Sequence, residues 1–272
     1  MRWDPDTVFE INRYEFKSPK IYHPLKIALI ADLHNCVYGN ENDVLLDAII
    51  NESPDIITIA GDFIEAGTRA SETAGMVLLY RLQKRYPVYY GVGNHEKRIF
   101  LQERYRRQRN ELVYGLVRSG VKLIHNKGYE IKDTNVVITG LDIPHEYYRR
   151  VFHRYTDREE LEGWLGRPDD KRYNLLIAHD PSHFDAYCDY GCDLVFSGHV
   201  HGGLIRLPKI GGLVSPGYRL FPKYDAGVYE KKGTRMLVSR GLGSHTINIR
   251  INNKPELIFV TLSPEENNDG NY

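Results

Sequence analysis

Short apolar runs that each end in a carboxylate or imidazole restrict the fold of this chain more than any other feature. The five runs, with their closing motifs, span residues 26–34, 55–62, 88–96, 175–181 and 193–202. Polar loops and segments with the helical spacing of apolar residues separate the first three. This alternation predicts a largely parallel sheet covered by helices on both faces.

Other segments extend this prediction at both ends of the chain. The predicted helices are Asn42–Pro54, with Asn42 as the cap, Ser71–Leu82, a single long basic helix Lys97–Arg118, and Glu159–Leu165. The predicted additional strands are a half-buried edge strand at 7–16, a strand at 136–139, and a second sheet built from 237–238, 247–251 and 257–262. We therefore expect an α/β fold with two sheets.

Length and composition favour one large domain. The chain has 272 residues and is 42% hydrophobic, so we expect a single domain over residues 1–272 with a core at 26–262 and a polar tail at 263–272. Its 36 basic and 36 acidic residues give no global attraction for nucleic acid. Three cysteines without a CxxC spacing argue against a disulfide framework. No signal-peptide or bilayer-spanning stretch is present, so a cytoplasmic protein is expected, with a peripheral membrane association left open.

The polar tips of the runs predict a metal site. His199 and His201 lie two apart on an extended segment, so both rings address one point. Ligands of such sheets collect beyond the carboxyl ends of the strands, where the candidates are Asp32, His34, Asp62, Asn94, His95, His179, His199 and His201. Oxygen and nitrogen donors without a thiolate suit Mn²⁺, Fe or Zn²⁺ better than Ca²⁺. They are too many for one ion, which favours two divalent metal ions bridged by Asp62.

The order of these motifs, D-x-H, G-D, G-N-H-E, H and G-H-x-H, resembles the calcineurin-like metallophosphoesterase superfamily. Within that superfamily the chain is most similar to the bacterial YkuE/YaeI-type phosphoesterases. The features that carry this likeness after the G-H-V-H-G-G block are Pro208, Gly217-Tyr218, the segment 238–243 and Arg250. The resemblance covers residues 26–262 and implies a four-layer α/β sandwich of two mixed β-sheets flanked by helices.

The resemblance also implies roles for the candidates. Asp32, His34 and His201 would serve a first metal, Asn94, His179 and His199 a second, and Asp62 both. A hydroxide between the two ions would attack the phosphate ester, while His95 assists the leaving group and binds the substrate together with Asn94. Glu96 stands where the family more often has aspartate. We expect its carboxylate to accept a hydrogen bond from a neighbouring ring.

Two basic segments with aromatic residues follow metal-site motifs and predict a substrate rim. They are residues 97–109 and 145–155. Such a rim would attract a phosphate ester and cover its apolar part, and a plain solvated surface is the alternative. A lipid headgroup, a nucleotide and a nucleic acid remain open as substrates. No obligate protein partner is evident.

Several other polar residues are predicted to be structural. His23, His125, His145, His153, His183 and His245 fall in this group, as do Ser239, Arg250 and Cys36. For Asp142 and Asp180 two roles remain open, either supporting a ligand or capping a loop.

The resemblance therefore implies a dinuclear metal-dependent phosphoesterase, most simply a phosphodiesterase, with Mn²⁺ as the first candidate and Fe or Zn²⁺ as alternatives. Two alternatives stand beside it. One is a scaffold of the same fold that binds partners without catalysis, which the complete set of ligands disfavours. The other is a nuclease acting on DNA, for which salt-sensitive binding of oligonucleotides is expected.

Overall fold

Two six-stranded mixed sheets pack face to face in the computed structural model, with helices on both outer faces. Residues 9–67, 72–148, 154–203, 205–207, 211–213, 221–243 and 250–265 are described. The predicted α/β sandwich of two mixed sheets flanked by helices is confirmed. Predicted features at 7–8, Ser71, 149–153, Pro208, 217–218, 244–249 and 266–272 lie outside the described residues.

The strands are numbered in chain order. They are β1 (Glu10–Ser18), β2 (Leu25–Ile30), β3 (Ile56–Ala60), β4 (Val88–Gly91), β5 (Lys122–Ile124), β6 (Lys127–Glu130), β7 (Val136–Leu141), β8 (Tyr173–Ala178), β9 (Leu194–Ser197), β10 (Arg206–Leu207), β11 (Gly211–Gly212), β12 (Gly227–Lys231), β13 (Thr234–Val238) and β14 (Glu256–Pro264). The helices are α1 (Asp43–Glu52), α2 (Glu72–Gln83), α3 (Asn94–Leu101), α4 (Arg106–Ser119), α5 (Arg158–Leu165) and α6 (Phe184–Tyr190).

The first sheet has the order β1-β14-β2-β3-β4-β5, and the second has the order β12-β13-β9-β8-β7-β6. Strands β2 to β5 run parallel to one another, as do β7, β8, β9 and β13. The antiparallel pairs of these sheets are β14 with β2 in the first sheet, and β12 with β13 and β6 with β7 at the edges of the second. Each sheet therefore presents a row of parallel carboxyl ends.

Successive side chains of each central strand point to opposite faces of the sheet, so the core has three layers. On β8, Leu175 and Ile177 face the interior between the two sheets, whereas Leu176 and Ala178 pack under α5 and α6. Helices α1 to α4 cover the outer face of the first sheet in the same way. The strands are apolar on both sides because both sides are buried, which explains their continuous hydrophobic runs.

The prediction of one long helix from Lys97 to Arg118 is wrong, because the helix is interrupted at Gln102. The backbone of Gln102 is extended (φ −95°, ψ 126°), and a short 3₁₀ turn precedes α4. In one straight helix Ile99 and Leu112, thirteen positions apart, would point about 140° away from each other. Both are buried, so the break is what turns the two apolar faces toward the same core.

The predicted composition of the second sheet is partly wrong. Residues 237–238 do lie in it, on β13, but β14 returns to the first sheet and inserts between β1 and β2. The second sheet instead begins at β6. Asn42 also differs from its predicted capping role, because its side chain accepts a hydrogen bond from the amide of Tyr38 and makes no helix cap.

The described helices include none that could cross a lipid bilayer, for lack of length and apolar character.

Candidate metal centre

The polar tips of five parallel strands meet beyond the carboxyl ends of the two sheets. Asp32 and His34 follow β2, Asp62 follows β3, Asn94 and His95 begin α3 after β4, His179 follows β8, and His199 and His201 follow β9. All are buried except His199, which is half-buried. All eight residues predicted as site residues thus lie at one edge of the sandwich.

The first group of possible ligands is Asp32, His34 and His201. The Nε2 atoms of His34 and His201 are 3.2 Å apart, and Nε2 of His201 lies 3.5 Å from Oδ1 of Asp32. One donor atom from each of the three residues lies within 4.8 Å of the others. For nitrogen ligands about 2.0–2.1 Å from a tetrahedral ion, a separation of about 3.3 Å is expected, so the two rings fit a shared ion.

The second group is Asp62, His179 and His199, and its donor atoms also lie within 4.8 Å of one another. Oδ2 of Asp62 is 3.2 Å from Nε2 of His179 and 3.7 Å from Nε2 of His34. Asp62 therefore lies between the two groups. Oδ1 of Asn94 is buried and accepts no hydrogen bond from any described residue, which is expensive unless something else satisfies it.

The backbone at these positions is strained. Asp32, His34, Asp62, His199 and His201 all have positive φ angles, between 45° and 70°. Left-handed conformations are unfavourable for residues other than glycine and persist only where the surroundings hold them. Here amides close the loops: the amide of His199 donates to both carboxylate oxygens of Asp32, and that of His95 donates to Oδ1 of Asp62.

These loops approach each other so closely that two positions in the motifs have no room for a side chain, which explains why they are glycines. A Cβ atom on Gly198 would lie 2.3 Å from Oδ2 of Asp32, and one on Gly93 would lie 2.3 Å from Oδ1 of Asp62. Any side chain at either position would displace the carboxylate.

The imidazoles are of two kinds. Nδ1 of His179 lies 2.7 Å from the carbonyl of Ala60, and Nδ1 of His201 lies 3.1 Å from that of Gly243. Each ring donates from Nδ1 and turns Nε2 toward the site, where the neutral ring offers a lone pair, as metal-binding histidines do. Arg250 also lies 3.4 Å from Nδ1 of His201, but it donates to the same Gly243 carbonyl, so the two donors share one acceptor.

His95 has the opposite arrangement. Its Nδ1 accepts a hydrogen bond from the amide of Ala66 at 3.1 Å. In the neutral ring the proton is therefore on Nε2, and this nitrogen can donate. The ring lies edge-on against His34 with centroids 4.8 Å apart, so the donor is beside the first group.

Glu96 supports the site by accepting hydrogen bonds from the loops that carry its residues. Its carboxylate accepts from the amides of Asp62, Gly93 and Ile64 and from the hydroxyl of the Tyr90 ring at 2.7 Å. A tyrosine hydroxyl and three backbone amides, and not a ring nitrogen, therefore donate these hydrogen bonds. The side chain joins the loop of Asp62 to the start of α3.

Charges in the site are strongly coupled. Burial raises the pKa of Asp32 to about 7, with His179 opposing and Asp62 adding to the rise. Burial opposes ionisation of Asp62 as well, but His179 and His95 hold its pKa well below the usual value. Burial alone would lower the pKa of His179, and the charge of Asp62 outweighs it and raises the pKa to about 10. In the protein alone, a proton on His179 balances Asp62.

The donor set fits divalent cations on three grounds: imidazoles that turn Nε2 toward the site, carboxylates between them, and the unsatisfied amide oxygen of Asn94.

The neighbouring aspartates take other roles. Asp180 caps the turn at 181–183 by accepting from the amide of Ser182. Asp142 forms a buried ion pair with Lys97 at 2.6 Å and contacts His125 at 2.7 Å. Lys97 therefore does not belong to an exposed basic rim, and the predicted rim is wrong at this position. Nothing in the sequence spacing indicated this pair.

Of the predicted aromatic rim at 145–155, Tyr148 lies at the site. Its ring is edge-on to that of His199 with centroids 5.7 Å apart, and 6.5 Å from His179. Arg149–His153 lie outside the described residues.

Known proteins are similar to this chain over most of its length. The profile of the calcineurin-like phosphoesterase family matches residues 25–203. The uncharacterized metallophosphoesterase YkuE of Bacillus subtilis is 28% identical over 265 residues, covering 94% of this chain and 86% of YkuE. The phosphodiesterase YaeI of Escherichia coli is 26% identical over 246 residues, covering 88% of this chain and 82% of YaeI.

Among solved structures, a 5'-nucleotidase precursor from Thermus thermophilus superposes with a TM-score of 0.45 at 15% identity, covering 80% of this chain. This chain spans about half of that one, 49%. The family profile covers well over half of the present chain, which therefore belongs to the calcineurin-like phosphoesterase family. It is a metallophosphoesterase, and the expected resemblance is confirmed.

Proposed function

We propose that this protein is a phosphodiesterase that works with two divalent metal ions, Mn²⁺ being the first candidate. The position of Asp62 between the two ligand groups carries the proposal, because one carboxylate within 4 Å of His34 and His179 suits a pair of ions. Asp32, His34 and His201 would hold one ion. Asn94, His179 and His199 would hold the other, and Asp62 both.

Bound ions at this site would supply charge neutralisation and a water that ionises near neutral pH. The chain's own residues supply the rest. The strained loops fix the carboxylates, so little reorganisation is needed when substrate charge develops. His95 holds its proton on Nε2 and donates it to the departing oxygen, which suits an ester of a poor leaving group.

The preference for diesters is supported by the name of YaeI. A phosphate ester is the substrate class; a lipid headgroup, a nucleotide and an oligonucleotide all contain the required bond. The test compares hydrolysis of bis(p-nitrophenyl) phosphate and p-nitrophenyl phosphate with added Mn²⁺. We expect faster hydrolysis of the diester and loss of activity in Asp62→Asn. Preference for the monoester would contradict the diester assignment.

Metal analysis separates this enzyme from a scaffold that only binds partners. We expect about two equivalents of Mn²⁺ per chain, the number for a two-metal hydrolase. No retained metal after loading would favour the scaffold. Cleavage of an oligonucleotide faster than of small diesters would favour the nuclease.

A further inference from the structure

Four exposed apolar side chains lie on helices α2 and α4 and belong to neither ligand group of the metal site. Val117 is 78% exposed, Tyr114 64%, Tyr80 46% and Val113 44%. On the opposite side of α4, Leu112 and Leu116 are buried. Helix α4 therefore has two apolar sides, and only one of them is used by the core.

The two helices expose these side chains on their outer sides, with Tyr80 beside α4 and with Val113 and Val117 on the side of α4 away from α2. A Cβ on Gly115 of α4 would touch Met76 of α2, and one on Gly120 would lie 3.0 Å from Gln83. The helices thus run in the same direction side by side. Tyr80 belongs to the same stripe as Met76 and Gln83, so it lies along the seam with α4. We call Tyr80, Val113, Tyr114 and Val117, with the cations described next, the α2–α4 face.

Four cations lie on the same two helices or directly after α2, and one of them, Arg81, donates to the carbonyl of Glu41 beside α1. They are Arg81, Lys84, Arg85 and Arg118, and none of them forms an ion pair with a carboxylate among the described residues. Nζ of Lys84 lies 4.2 Å from the ring centroid of Tyr80, and Arg118 donates to the hydroxyl of Tyr114 at 3.1 Å. The nearby Glu111 is already paired with Arg107 at 2.9 Å. The face has a net positive charge.

We propose that the α2–α4 face docks onto an anionic phospholipid surface. Aliphatic and aromatic side chains together with Lys and Arg are the composition of helices that lie in a membrane interface. Each cation near an anionic bilayer adds about 1 kcal/mol, a factor of about five in binding. A second copy of the chain fits less well, since a two-fold interface would bring like charges together.

The location of the face leaves the metal centre accessible. Near the start of α4, the side chain of Gln108 bonds the carbonyl of Glu65 and the amide of Gly67, just beyond Asp62. Val117 lies nine residues further along, about 14 Å from that anchor. Membrane binding and hydrolysis of a soluble substrate are therefore separable. The proposal does not depend on which phosphate ester is cleaved.

The test is co-sedimentation of the full chain with vesicles of phosphatidylcholine alone and of phosphatidylcholine with phosphatidylglycerol at 3:1. We expect binding to the anionic vesicles only, weakened when salt rises from about 0.1 to about 0.5 M because the charges are exposed. Val117→Asp lowers the bound fraction at least about tenfold, since a charge replaces an inserted side chain. Lys84→Ser with Arg118→Ser lowers binding about 25-fold.

Val228→Asp is the matched control. Val228 is 41% exposed on β12 at the edge of the second sheet, so the same substitution is made away from the face, and unchanged binding is expected. Thermal unfolding verifies that each variant is folded, and the double serine variant decides if Val117→Asp is not. Equal binding to neutral vesicles, absence of vesicle binding, or full binding by both face variants would overturn the proposal. Binding to acidic proteins but not to anionic vesicles would likewise overturn it.

Discussion

The histidines after β8 and β9 differ from the histidine at the start of α3, although all of them line one site. His179 and His201 donate from Nδ1 to backbone carbonyls and turn Nε2 toward the site, where the neutral ring offers a lone pair. His95 accepts at Nδ1 from the amide of Ala66, so its neutral ring carries the proton on Nε2. In the proposed function the same side chain therefore serves as a ligand in one region and as a proton donor in the other. What sets the role is the backbone group behind the ring.

The largest expected effect is on the ligand side of this comparison. His179→Ala removes an imidazole whose Nε2 lies 3.2 Å from Oδ2 of Asp62. One predicted metal ligand and the positive charge that balances Asp62 are therefore lost together. We expect loss of about one equivalent of Mn²⁺ and a fall in activity on the order of 10³-fold or more. Mass spectrometry of bound metal and a diester assay measure both. Full metal content in this variant would break the comparison.

His95→Gln tests the donor side. We expect both metal equivalents to remain and the activity to fall about 10²–10⁴-fold, the range for a general acid. The loss is smaller for a nitrophenyl ester than for an alkyl ester, because a good leaving group needs less protonation. A loss of metal equal to that in His179→Ala would show that the two kinds of histidine do not differ.

Glu96→Gln sharpens the comparison by disturbing the support of both loops. The new NH₂ group would face donors at either position, the amides of Asp62 and Gly93 at Oε2 or the amide of Ile64 at Oε1. We expect a weakening of metal affinity of about 10–100-fold with a smaller change in activity at saturating Mn²⁺. A Mn²⁺ titration of activity gives both values. Unchanged affinity would contradict the supporting role.

Lys97 and Asp142 form a buried ion pair at the same edge, and neither residue is a predicted metal ligand. Lys97→Met leaves Asp142 buried, at 5% exposure, with only His125 as a charged partner among the described residues. Breaking such a pair costs about 3–5 kcal/mol in the free energy of unfolding. Urea unfolding measures it. Lys97→Met combined with Asp142→Leu should recover part of the loss, and an equal or greater loss would contradict the account.

The smallest expected effect is a release of protons on metal binding. The pKa of His179 is raised to about 10, so the ring is protonated at pH 7 and must lose that proton to bind an ion. Apparent affinity therefore rises with pH up to that value and falls as the pH is lowered. Calorimetry in buffers of different ionisation enthalpy should detect at least about one proton per chain, one from His179 and a further fraction from Asp32, whose pKa is about 7. No proton release would show that His179 is neutral beforehand.

Features of the fold and site that depend on neighbouring residues could be predicted from the sequence, whereas contacts between distant residues could not. The strand ends at Asp32, Asp62 and His179 could be read locally, since each follows a short apolar run. The partner of Lys97 could not be predicted, because Asp142 lies 45 residues away and its contact depends on how the two sheets stack. The insertion of β14 between β1 and β2 is equally non-local. The proton position on His95 depends on one amide of a neighbouring loop.

Anomalous diffraction at the manganese edge from crystals soaked in Mn²⁺ tests the central claim most directly. The account predicts two peaks, one on either side of the Asp62 carboxylate, with His179 and His201 bound through Nε2 and His95 outside both coordination spheres. A single peak, or a peak ligated by His95, would contradict it.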